Sequence, residues 1–429
     1  MTDSYLEHHA EPEASLATAL VSGADFHHAV VIPAFDEPVS MLEDVFARVG
    51  SLANTLLVVV VNVPEGASDA AATRTRELVR RLTEHQLGRQ RHDRLSLGEC
   101  RQLAGASLLL VDLCDSHRPS RRQGVGRARK AGTDIAYALW ARGLLKSPWV
   151  HVTDADVELP PGYLDIEPRC RDVSCAIYPF THGDAALAYE LRLRLYVLGL
   201  ARAASPYAFH TLGSLLKVSL AHYGKVRGFP KRAAGEDFYL LNKLAKSGFI
   251  ENLVSPPLRL SDRASSRVPF GTGPAISAMA DGRPLDYPVY DPRLFGLLTP
   301  WLRHLDSLWD QREEVATRGT IAWLGEHGVA GPMLDALAAL DVDQIFRRVC
   351  AQCRRPEHLA RQLHTWFDAF KTMRTLHRVR AAGYDDVPLH RGLQEVLESD
   401  ALRGASLEEI CTHIASREPR GVAMGLGPR

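Results

Sequence analysis

The chain has little cysteine: seven in 429 residues. An odd number, scattered over a long chain, is not a disulfide framework, and a reducing cytoplasm is the simplest home for it. Neither sign of charge is in excess. Lys and Arg together number 51, and so do Asp and Glu. That balance speaks against a nucleic-acid partner, because such binders usually carry a basic surplus. Long apolar runs are missing too. The longest, LLVVVV at 56–61, has a strand's length and falls far short of the ~20 residues a transmembrane helix needs. A peripheral membrane contact stays open. The opening residues, MTDSYLEHHAEPEASLA, are acidic, with no basic segment leading into an apolar core, so no targeting signal is read there. No internal repeat is found.

What is present is a composition of 46% apolar and 24% charged residues, that of an ordinary soluble globular protein. The length allows two domains or one elaborated domain. Residues 1–25 read as a flexible N-terminal tail. HAVVIPAF (28–35) is a β-branched run, read as a buried strand stopped by Pro33. Met41, Leu42, Val45, Phe46, Val49 and Leu52 then fall at helical spacing. TLLVVVVN (55–62), ASLLLVDL (106–113) and SPWVHVTDAD supply three more strands, with AAATRTRELVRRL and residues 127–145 read as helices between them. Alternating strands and helices predict an α/β fold, a mostly parallel sheet flanked by helices. Such sheets bind ligands at the carboxyl ends of their strands. Beyond about 290 the pattern turns helical. Leu359, Leu363, Trp366, Phe367, Phe370, Met373 and Leu376 lie on one stripe, and Ser406 with Glu409 offers a capping box. The expected layout is a tail at 1–25, an α/β domain at 26–285 and an α-helical C-terminal region at 286–429.

VHVTDADVELP (150–160) ends the fourth strand with alternating carboxylates. On an extended chain, alternate residues point the same way, so Asp154 and Asp156 can face one hard cation. Mg²⁺ or Mn²⁺ suits oxygen ligands, and often takes only one or two protein carboxylates. The plainer alternative is a solvated acidic turn. In AAGEDFYLLNKLAKSG (233–248), Glu236 and Asp237 open an amphipathic helix. Carboxylates are favoured there by the helix dipole alone, or one of them serves as a general base. In RRQGVGRARKAGTDIAYAL (121–139), Arg121, Arg122, Arg127, Arg129 and Lys130 surround Gly124 and Gly126 in a loop entering a helix, a pattern suited to a diphosphate or to a solvated basic loop. Arg259, Arg263 and Arg267 recur at intervals of four and could grip a phosphate or carboxylate. Cys350, Cys353, His358 and His364 have a metal-like spacing, but the helical stripe around them favours ordinary packing.

Taken together, VVIPAFDEP, TDADVELPPGYL and TLGSLLKVSLAHYGKVRGFPKRAAGEDFYLLNKLAKSG resemble the family 2 glycosyltransferases, over about residues 28–270. The resemblance implies a GT-A nucleotide-diphospho-sugar transferase fold and the hexosyltransferase class. It implies a nucleotide framed by Pro33, Ala34, Phe35, Asp36 and Glu37, and a donor held through Mn²⁺ or Mg²⁺ on the D-x-D pair, Asp154 and Asp156. It further implies that Asp237, supported by Glu236, is the base of an inverting transfer to a hydroxyl acceptor. Where the second strand of the family often ends in an Asp-Asp-Gly-Ser-like run, this one ends VVNVPEGASD, with Asn62 and Glu65 instead. Donor sugar, base and acceptor are therefore not read. The alternatives are a nucleotidyltransferase, a retaining transferase on a similar fold, and a non-catalytic sugar-nucleotide-binding protein.

Overall fold

The computed structural model describes residues 3–21, 23–263, 275–276, 283–397, 404–423 and 427–428. The chain divides into two compact units: residues 1–183 with 211–274, and residues 184–210 with 275–429. The sequence places the boundary near 285 and keeps 184–210 with the α/β part. In the structure, helix Leu187–Arg202 instead buries Leu187, Leu191, Leu195 and Leu198 against Leu389, Leu393, Ile410 and Ile414 of the C-terminal helices. A helix apolar on most of its circumference needs such partners, and linear sequence does not say which ones it finds.

The first unit is built on a sheet whose strands are β1 (His28–Ala34), β2 (Thr55–Asn62), β3 (Gln86–His92), β4 (Leu95–Cys100), β5 (Ala106–Leu113), β6 (Trp149–Val152), β7 (Val173–Ile177), β9 (Leu216–Ser219) and β10 (Phe249–Asn252). A separate two-stranded pair joins β8 (Phe180–His182) to β11 (Leu258–Leu260). The sheet order is β10-β7-β9-β6-β1-β2-β5-β4-β3. β1, β2, β5 and β6 pair in parallel, as do β7 and β10, whereas β9 and β4 run against their neighbours. The outcome is the mixed α/β class expected, a large and mostly parallel sheet flanked by helices. Every residue of β2 is buried, as its unbroken apolar run requires of a strand covered on both faces.

The chain adds β2 and then β5 on one side of β1, and places β6 on the other. The order therefore reverses between β1 and β6. At such a switch point the loops leaving the two strands diverge and open a crevice at their carboxyl ends.

Two expectations are corrected and one element was missed. Pro33 does not stop β1; the strand continues through it to Ala34, opposite Val60 and Val61 of β2. β6 pairs only with Val30 and Val31, so from Ile32 onward that flank carries no ladder for a proline to break. The polar hairpin β3–β4 was not legible, because β3 lies at the sheet edge with all but its first residue exposed and so lacks an apolar signature. The N-terminal segment is not a tail. Helices Ser4–His8 and Pro12–Leu20 bury Tyr5, Ala14, Ala17 and Leu20. Glu13 is fully buried, held by Arg94 at 2.8 Å and Arg127 at 2.8 Å, so its acidity marks an internal ion pair rather than a solvated end.

The second unit is mainly helical among its described residues, including Arg293–Arg318, Val342–Gln352, Pro356–Trp366, Ala369–Ala381 and Leu407–Ala415. The capping box of Ser406 and Glu409 is formed. The long stripe from Leu359 to Leu376 is two helices, broken where Asp368 caps the second by accepting from the Lys371 N–H. His364 turns to Asp306, at 2.7 Å. No helix among the described residues is long and apolar enough to cross a membrane.

Candidate active site

Both acidic motif loops leave strands that flank the switch point. Pro33 and Ala34 end β1 and lead into Phe35, Asp36 and Glu37, while Asp154 and Asp156 follow β6. Asn62 is the last residue of β2, is buried, and lies opposite Leu113 of β5. Register keeps these ends level, with Ala34 beside Val61.

Asp36 adopts a left-handed backbone (φ 57°), which Asp tolerates better than most residues. Its N–H donates to Thr75 Oγ1 at 3.1 Å. Its carboxylate receives two hydrogen bonds from Arg74, at 2.7 and 2.9 Å. Asp36 is thus tied back to helix Asp69–Glu84. Glu37 is buried and pairs with Arg263 at 3.0 Å; the same guanidinium nitrogen reaches Asp156 at 3.4 Å. Of the three arginines spaced by four, Arg263 therefore joins the site. Arg259 lies in β11, where its backbone bridges to Glu158, and Arg267 falls outside the described residues.

The centre of the arrangement is Arg129. It projects from helix Gly124–Ala141 and pairs with both Asp154 and Glu236. Its side chain is 6% exposed and that of Glu236 is 2% exposed, whereas Asp154 is 35% and Asp156 33% exposed. The TLGS segment completes the enclosure: a Cβ at Gly213 would overlap the Arg129 guanidinium. D-x-D, Gly-Ser and G-E-D, separated by tens of residues in sequence, meet on one side chain.

Glu236 and Asp237 begin helix Glu236–Leu244, whose inner face carries Leu240, Leu241 and Leu244. Gly235 precedes it with φ 72°, a conformation in which a side chain is strained; this accounts for the glycine of G-E-D. Asp237 has its pKa pushed up to about 7, by desolvation first and by the Glu236 charge second, with Arg129 pulling the other way. Burial opposes the charge of Arg129, but Asp154, Glu236 and Asp237 raise its pKa still further.

The diphosphate loop expected at 121–130 is corrected. Gly124 and Gly126 lie inside the first turn of the helix, not in a loop ahead of it. A Cβ at Gly126 would come within 2.7 Å of the Pro230 carbonyl oxygen and closer still to Arg232, so these glycines permit chain against chain. Arg127 pairs with Glu11 and Glu13. Lys130 pairs with Asp134 at 3.0 Å and donates to the Tyr5 hydroxyl at 3.1 Å. Neither is a free phosphate ligand. Helical spacing held the missed signal: positions 127 and 130 share a face, while 129 points elsewhere.

Among the described residues, no group of three or more His, Cys, Asp or Glu side chains gathers to hold a metal. What the site offers is an oxygen-only, half-exposed pair, Asp154 and Asp156. That set fits a hard cation whose remaining ligands are water and phosphate oxygens.

No protein-family model matches this chain, and no curated protein matches it. Among solved structures, a mannosyltransferase, PcManGT from Pyrobaculum calidifontis in complex with GDP-Man and Mn²⁺, aligns over 94% of this chain and 90% of its own. The identity is 14% and the TM-score 0.33.

Proposed function

We propose that this chain is a glycosyltransferase of the family 2 type on a GT-A fold, moving a sugar from a nucleoside diphosphate sugar to a hydroxyl acceptor with inversion. One observation carries it: D-x-D at the end of β6 and G-E-D at the head of helix Glu236–Leu244 converge through Arg129, beside the strand ends where the sheet order reverses.

The donor would lie across the carboxyl ends of β1, β2 and β6, with Pro33–Glu37 and Asn62 on the nucleotide side. Asp154 and Asp156 would hold Mn²⁺ or Mg²⁺, which offsets the charge that grows on the leaving diphosphate. Arg263, already spanning Glu37 and Asp156, supplies a second cation that can turn onto a phosphate oxygen. As the acceptor oxygen bonds to the anomeric carbon and the bond to the diphosphate oxygen breaks, the hydroxyl proton passes to Asp237. Its elevated pKa makes it a competent base near neutrality. Arg129 touches neither reactant in this scheme; it fixes Asp154 and Glu236 relative to each other.

The test is calorimetric binding of UDP, GDP, CDP, TDP and ADP, each with Mn²⁺ and with EDTA, on the wild type and Asp156→Ala. Binding of one nucleotide, lost with EDTA and in the variant, supports the scheme and names the donor class. No metal-linked binding of any of them would sink it.

A further inference from the structure

A protein with no net charge carries a strongly basic stretch in its second unit. Residues 342–380 contain nine Arg and Lys against three Asp and Glu. They lie on helices Val342–Gln352, Pro356–Trp366 and Ala369–Ala381 and in the turn at 353–355. Arg348 and Gln352 lie one turn apart on helix Val342–Gln352. Gln352, Arg354, Arg355 and His358 line a cavity of about 400 Å³. The Gln362 amide donates to the His358 ring at 3.3 Å. One turn further along helix Pro356–Trp366 comes Trp366, with the Lys371 ammonium 5.6 Å from its ring centroid.

Arg348, Arg354, Arg355 and Arg361 are all exposed. Among the described residues no carboxylate pairs with any of them, although most exposed arginines of the first unit's helix Asp69–Glu84 do have one. A ridge of unneutralised guanidinium groups is a surface complementary to clustered anionic groups. Its end is not purely ionic. Trp366 and Phe370 are half-exposed, with Lys371 and Arg374 over their rings. Basic residues beside amphipathic aromatics suit the boundary between charged headgroups and acyl chains.

We infer that this ridge docks the protein on an anionic lipid bilayer. The inference rests on the second unit alone and stands or falls apart from the transfer reaction. It requires no membrane-spanning helix, since a peripheral surface binds by charge and shallow aromatic insertion.

The experiment is co-sedimentation of the full chain with phosphatidylcholine vesicles, with and without phosphatidylglycerol, over a salt series. The wild type should bind only the phosphatidylglycerol vesicles and come off as salt rises. The triple variant R354E/R355E/R361E should partition at least about tenfold more weakly. Trp366→Ala should also weaken vesicle binding, which separates insertion from mere attraction to polyanions. The mutated arginines are exposed and have no carboxylate partner among the described residues, so both thermal melting and nucleotide binding should stay at wild-type values. Absence of wild-type binding to phosphatidylglycerol, or equal binding by the triple variant, overturns the inference. So does an unaltered affinity in Trp366→Ala together with tight binding to single-stranded nucleic acid, which would identify a different polyanion.

Discussion

Arg129 and Glu236 form a buried ion pair across 107 residues of sequence, and the same guanidinium holds Asp154. Removing one partner of such a pair leaves an uncompensated buried charge. Arg129→Ala should therefore destabilise the fold by about 3–5 kcal/mol, read as a lower midpoint in urea at unchanged slope. Gly213→Ala leaves every charge in place yet pushes a methyl group into the guanidinium; a loss of about 1–3 kcal/mol is expected. If both variants melt with the wild type, Arg129 does not organise this site.

As the proposed base, Asp237 should govern the pH dependence. It must be ionised to accept a proton, so turnover should rise with pH and level off above an apparent pKa of about 7. Asp237→Asn should abolish that limb and lower kcat by ~10²–10⁴ while nucleotide affinity stays near normal. Stability should move in the opposite sense. The folded state holds the Asp237 proton more tightly than the unfolded chain does, so this side chain's contribution shrinks as pH climbs from about 4 through 7. Asp237→Asn should thus gain on the wild type over that window. A flat rate profile, or an active Asp237→Asn, would assign the base elsewhere.

Arg263 divides stability from binding. Its pair with Glu37 and Asp156 involves a side chain 44% exposed, so Arg263→Ala should alter thermal stability by no more than about 1 kcal/mol. Loss of a charged hydrogen bond to a phosphate should nonetheless weaken nucleoside diphosphate binding by roughly 10- to 100-fold. Unchanged affinity in a calorimeter would confine Arg263 to holding the two loops together.

Glu13 tests the N-terminal helices. It is fully buried between Arg94 and Arg127, and Glu13→Ala should cost about 3–5 kcal/mol. Burial alone would raise its pKa, but Arg127 and Arg94 bring it below the usual carboxylate value. Its contribution is therefore complete above the unfolded pKa and fades as pH falls through the folded one. Acid titration should show the wild-type advantage over Glu13→Gln shrinking below about pH 4.5. A variant as stable as the wild type would mean the segment packs without this pair.

The unbroken apolar runs at 29–32, 56–61 and 108–111 determined buried parallel strands, because only a strand covered on both faces can be apolar at every position. The carboxylates after them, and the glycine before Glu236, were legible for a related reason: local backbone geometry is written in residue type. Tertiary structure alone decided what those charges meet. A guanidinium can satisfy any carboxylate within reach, and reach is set by which helix lies against which strand. Arg127 thus went to the N-terminal helices and Lys130 to Asp134 of its own helix and the Tyr5 hydroxyl, whereas Arg129, one or two positions away, turned to the site. The same holds for helix Leu187–Arg202, whose leucines announce burial without saying which leucines and isoleucines, two hundred residues on, will cover them. Long-range pairing is selected by the packing of the whole chain, and no stretch of sequence carries it by itself.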